Sequence, residues 1–159
     1  YTFSQIGNTS NIALDSFYWR DTLPAQVTVN RLVTGTYNQA QNYKIVYKVN
    51  GAGAYRTLAD NLSTTKNYVL DMRPAVIGLA ANERVTEIMF VFGTVPAGFA
   101  QVETPVLYGT VCGGLSNGTN LVNSADVGGL YSGQWVQAVS RWLTTVYAKM
   151  TMTLPKTGY

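Results

Sequence analysis

Turn-forming residues interrupt this chain so often that no long helix fits between them. Leu23-Pro24, Gly51-Ala52-Gly53, Pro96-Ala97-Gly98, Gly113-Gly114 and Asn117-Gly118 each mark a reversal. Glycine reaches positive φ without steric cost, while proline fixes φ and withdraws a backbone donor. The segments between these marks repeat every second residue. Tyr43, Ile45, Tyr47 and Val49 alternate with Lys44, Val46 and Lys48, which puts one set on each face of a strand. Asn50-Gly51 follows at once and Tyr55-Arg56-Thr57-Leu58 resumes the pattern, the mark of a hairpin with a glycine-rich loop. Further strands are predicted over residues 12–20, 26–32, 67–70, 85–92 and 104–111. Gly128-Gly129 predicts a break before two closing strands at 134–139 and 142–148, and residues 75–81 predict a single helical turn. Short strands at this spacing predict an all-β fold, an antiparallel β-sandwich.

Composition agrees with that class and narrows the setting. With 159 residues and a hydrophobic fraction of 47%, one domain can build a core. Residues 1–150 are expected to form it, with 151–159 as a linker. The charged fraction of 12% is low, so hydroxyls and amides must cover the solvent faces, as is common in secreted β-proteins. The net charge is +3 and the basic residues are scattered, so there is no basic stripe of the kind nucleic acid or an anionic membrane needs. Cys112 has no partner for an internal disulfide and is expected to be a buried, inert thiol at a strand end. No apolar run reaches the length of a membrane span. The chain begins at Tyr1 without a leader and is expected to be an excised piece of a longer protein.

Catalytic chemistry finds little to work with. The absence of histidine removes Ser-His-Asp and Cys-His centres and histidine-ligated zinc. The carboxylates Asp15, Asp21, Asp60, Asp71, Asp126, Glu83, Glu87 and Glu103 lie mostly beside turns, where capping and solvated roles prevail. No calcium-loop spacing and no phosphate-loop Lys-Ser/Thr occurs. No catalytic residue, metal or cofactor is therefore expected, and Asp21 is taken as a turn acceptor ahead of Pro24. Among the aromatics, Tyr18 with Trp19, Tyr131 with Trp135, and Trp142 with Tyr147 could line a binding surface instead of packing the sandwich. The loop carrying Tyr131 and Trp135 is the best candidate for a ligand site.

The most specific motif is Leu154-Pro155-Lys156-Thr157-Gly158, which resembles a sortase cell-wall sorting signal of Gram-positive bacteria. Pro155 favours the extended, accessible backbone such a substrate needs. The resemblance implies attack by a sortase thiolate on the carbonyl of Thr157, loss of everything from Gly158 onward, and capture of the acyl group by a peptidoglycan amine. The apolar helix and basic tail of a full signal do not follow Tyr159, which is expected to reflect truncation.

Three further segments resemble, in order, a stalk repeat domain of such wall-anchored surface proteins. Residues 1–11 are similar to its opening strand and turn; Phe17-Tyr18-Trp19-Arg20-Asp21-Thr22-Leu23-Pro24 matches its "DTLP" signature; and residues 121–127 are similar to its closing strand. That resemblance implies an immunoglobulin-like sandwich, often closed by an internal Lys–Asn isopeptide bond, with Asn123 at the position of the acyl partner. The matching lysine precedes or occupies the opening strand in the family, and residues 1–14 contain none. The expected function is a secreted, cell-surface stalk domain that is no enzyme, with sortase and peptidoglycan as partners. The alternative is an adhesin module that binds a host or dietary glycan, or a protein, through loops.

Overall fold

The computed structural model describes residues 7, 8, 11–116 and 118–145. Within them the chain is an all-β antiparallel sandwich, as its turns and alternation predicted. The strands are β1 (Leu14–Thr22), β2 (Val27–Val33), β3 (Thr36–Tyr37), β4 (Asn42–Val49), β5 (Ala52–Ser63) and β6 (Val69–Asp71). After the single turn α1 (Pro74–Ile77) come β7 (Val85–Val95), β8 (Gln101–Glu103), β9 (Val106–Val111), β10 (Asn120–Tyr131) and β11 (Gln134–Thr145). Six strands form the large sheet in the order β11-β10-β1-β7-β4-β5; β6-β2-β9 form a second sheet and β3-β8 a short ribbon.

The core lies where inward side chains of the large sheet meet those of the second. Phe17 and Trp19 of β1, Tyr43 and Ile45 of β4, and Phe90 and Phe92 of β7 pack against Val29 and Leu32 of β2 and Leu107 of β9. Trp19 and Phe90 meet edge to face at 4.9 Å, and Tyr37 stacks on Phe99 at 5.2 Å. Each such ring, taken fully from water, contributes about 2–3 kcal/mol. On β4 Tyr43, Ile45, Tyr47 and Val49 are buried while Lys44 is exposed and Lys48 half-buried; Val46, between them on the other face, is buried as well.

The structure departs from the expectations at the C-terminal hairpin. Gly128-Gly129 does not break the chain but lies inside β10. A Cβ at Gly128 would sit 3.0 Å from the Tyr18 ring, and one at Gly129 would sit 3.0 Å from the Cβ of Leu14. These glycines permit close approach to β1 rather than a turn. The reversal falls at Ser132-Gly133, both at positive φ (48° and 78°), the two-residue turn that suits strand twist. Residues 134–145 then run as one strand, paired with β10 from Tyr131↔Gln134 to Asn120↔Thr145 without a shift in register. Cys112 is exposed just past the end of β9, so the expectation of a buried thiol was wrong. Strand-end position alone does not bury a side chain, and Tyr108–Val111 of this edge strand are exposed as well.

Candidate functional site

β1 and β10 are neighbours, with Asp21 opposite Ala125 and Thr22 opposite Ser124. Alternation therefore turns Asp21, Asn123 and Ala125 toward the core and Thr22 and Ser124 away from it. Asp21 is 1% exposed and Asn123 is 0% exposed. The turn role expected of Asp21 is thus incorrect, because the strand continues through it. Leu23 beyond it is also buried, and the reversal begins at Pro24, whose carbonyl accepts from the Val27 amide at 3.2 Å.

The two polar side chains meet directly. Asn123 Nδ2 donates to Asp21 Oδ1 at 2.6 Å. Asp21 Oδ2 and Asn123 Oδ1 are buried and have no hydrogen-bond partner among the described residues. Each orphaned acceptor costs on the order of 1–3 kcal/mol, so the pair is a site held at the expense of stability. Burial pushes the Asp21 carboxyl up to about 7, against the opposing effect of the Asn123 donor. The neutral acid is therefore well populated at neutral pH.

This arrangement sets a carboxyl that can carry a proton against a buried amide. A protonated Asp21 can donate to the Asn123 carbonyl once the amide makes a half-turn, and that bond draws electron density from Cγ. A nucleophile is what the pair lacks. Lys44 and Lys66 are exposed, and Lys48 lies over the Tyr55 ring, 4.4 Å from its centroid. Among the described residues no lysine reaches Asn123. Sequence reasoning singled out Asn123 through a resemblance but missed Asp21; its position one strand over, on the same face, was the signal that register alone supplies.

A second polar group occupies the outward face of the same strands. Arg20 Nε and Nη2 grip Asp126 Oδ1 and Oδ2 at 2.9 and 2.8 Å, and Tyr18 Oη donates to Asp126 Oδ2 at 2.8 Å. Gln137 Nε2 reaches the same carboxylate at 2.9 Å. Burial alone would raise the Asp126 carboxyl, but these donors outweigh it and hold it below the ordinary carboxylate range. Burial and the bond to Asp126 push the Tyr18 phenol up to about 12.

The structure separates the two aromatics expected to share a loop. Tyr131 and Trp135 flank the two-residue turn, 49% and 64% exposed. Tyr131 pairs with Gln134 and Trp135 with Leu130, adjacent pairs that alternation sends to opposite faces. Trp135 instead meets Tyr18, ring centroids 6.1 Å apart at 71°. Residues 154–158, the sorting motif, lie outside the described residues, as do the side chain of Trp142 and residue Tyr147. No family model matches the chain, and neither does any curated protein or solved structure.

Proposed function

We propose that this chain is a structural stalk domain of a secreted, wall-anchored surface protein, and that its sandwich is closed by an internal amide cross-link at Asn123. The observation that carries this reading is the buried Asp21–Asn123 pair, with an acceptor oxygen unpartnered on each side. An internal cross-link suits a domain that must resist pulling rather than turn over a substrate, and the chain contains no histidine to suggest otherwise.

The cross-link forms by exchange of one amide for another. A lysine amine, kept neutral by the apolar surroundings, attacks Cγ of Asn123 while Asp21 protonates the carbonyl oxygen. The new Nζ–Cγ bond forms, the Cγ–Nδ2 bond breaks, and Asp21 relays the amine proton to the departing nitrogen. Ammonia leaves, and no oxidant or reductant is needed. The resemblance puts the lysine before or within the opening strand, and residues 1–14 contain none, so the cross-link calls for a lysine outside the described residues. Anchoring then follows at Leu154–Pro155–Lys156–Thr157–Gly158, with sortase as processing partner and peptidoglycan as acceptor for the Thr157 acyl group.

Intact-mass spectrometry of the full-length protein tests the cross-link. The expected mass is one ammonia lighter than the sequence mass, and Asn123→Ala and Asp21→Ala restore the full value. An unshifted mass in the wild type overturns the cross-link. Incubation with a sortase and an oligoglycine amine tests the anchor. The expected product is joined at Thr157; a chain left intact overturns that assignment.

A further inference from the structure

We propose that the outward face of the large sheet at Trp135, Tyr18 and Gln137 binds a neutral oligosaccharide, one sugar ring stacking on the indole and its hydroxyls reaching the Gln137 amide. This site does not depend on the cross-link, which lies on the opposite face of the same strands.

The first ground is the exposure of Trp135 on a fixed support. A tryptophan that is 64% exposed leaves a large apolar ring in water, and here it stands on a strand rather than a loop. The strand is held by continuous pairing to β10 and by a two-residue turn directly before it. On its flank the Tyr18 ring meets it at 71°. Tyr18 can lie down there because position 128 is glycine; a Cβ would come within 3.0 Å of its Cε1 and Oη. The outcome is a largely exposed indole braced by Tyr18, formed before any ligand arrives. Axial C–H groups of a pyranose carry slight positive charge, and the indole face is the negative pole of its quadrupole, so the two attract.

The second ground is the set of polar groups beside the ring. Gln137 lies two residues along from Trp135, about 7 Å away on the same face, roughly the reach of one sugar ring and its hydroxyl. Its Nε2 is committed to Asp126 and to Tyr18 Oη, at 2.9 and 3.3 Å. Those bonds orient the amide and leave Oε1 to accept from a hydroxyl. Arg20 and Asp126 neutralise one another at 2.8 Å, so the surface favours an uncharged sugar over a uronate or sialoside.

A protein partner fits less well. A stable protein interface buries about 800 Å² on each side, whereas among the described residues of this site the one large exposed hydrophobic side chain is Trp135. One stacked ring with a few oriented hydrogen bonds matches the apolar face and hydroxyl rim of a single sugar.

Saturation-transfer NMR and heteronuclear titration with chitohexaose, cellohexaose and maltohexaose test the site, with hyaluronan hexasaccharide as the anionic comparison. Saturable binding of at least one neutral hexasaccharide is expected, with shifts centred on Trp135 and Gln137. Trp135→Ala should weaken it at least about tenfold, the equivalent of one lost stack, and Trp135→Tyr should retain most of it. Tyr131→Ala, on the other face, should leave it unchanged. Lack of saturable binding by all three neutral sugars overturns the proposal. So does binding that survives Trp135→Ala, a preference for hyaluronan, or capture of a protein ligand through the same residues.

Discussion

Raising the pH from 4 to 8 should destabilise residues 1–159, and Asp21 is the reason. Its carboxyl is raised to about 7 from an ordinary 3.8, mainly because burial penalises the charged form. Between those values the folded state holds a proton that the unfolded chain has released, so stability falls as pH rises. Below 3.8 both states are protonated and the contribution is complete; above 7 it is gone. A gap of about three pH units corresponds to roughly 4 kcal/mol, and to a drop in melting temperature of about 10 °C for a domain of this size. The carboxyls held low, Asp126 and Glu83 among them, act in the opposite sense and only below about pH 5, so from pH 5 to 7 Asp21 sets the slope. The tyrosines raised by burial, such as Tyr43 at about 12, change stability only above pH 10. Urea unfolding followed by tryptophan fluorescence at half-unit steps from pH 4.5 to 8 measures the slope. One proton sets its maximum at about 1.4 kcal/mol per pH unit. Asp21→Asn keeps the shape and cannot titrate, so the slope should flatten by that amount. A slope unchanged in Asp21→Asn, or a wild type that gains stability from pH 5 to 7, refutes the reasoning.

Two other outcomes follow from side chains with fixed surroundings. Gly128→Ala forces a methyl against the Tyr18 ring and the Val136 carbonyl, at 3.0 and 2.9 Å; it should lower the unfolding free energy by about 1–3 kcal/mol in the same urea assay. Cys112, exposed beyond β9, should react completely with Ellman's reagent in the folded protein, and Cys112→Ser should shift stability by less than about 0.5 kcal/mol.

Local chemistry made most of the fold legible. Period-two alternation located β4 and the hairpin into β5, and proline and glycine located the reversals. What it could not give was the use of each glycine. Gly128-Gly129 carries the same letters as Gly113-Gly114, yet the first pair lies within β10 beneath side chains of β1. The difference is tertiary, since glycine serves close approach as well as positive φ. For the same reason one closing strand was expected as two. The 12-residue length of β5 was also hidden, because register shifts along its pairing with β4 break the alternation.

The site was hidden for a related reason, and its two properties have one origin. Asp21 precedes Thr-Leu-Pro, and in sequence an aspartate there suggests a cap; only the register with β10 brings it against Asn123. Once it is there, burial does two things together. It denies Asp21 Oδ2 and Asn123 Oδ1 their partners, which costs stability, and it raises the carboxyl into the neutral range, which makes it an effective acid. A lysine amide formed at Asn123 would keep one N–H to donate to Asp21, as the primary amide does now. It would also close a long loop covalently, a gain of about 4 kcal/mol in the chain-entropy model. The closed loop would thus offset the stability lost in burying the pair. The open protein should therefore unfold more readily than the full-length protein in which the lysine amide has formed and ammonia has left.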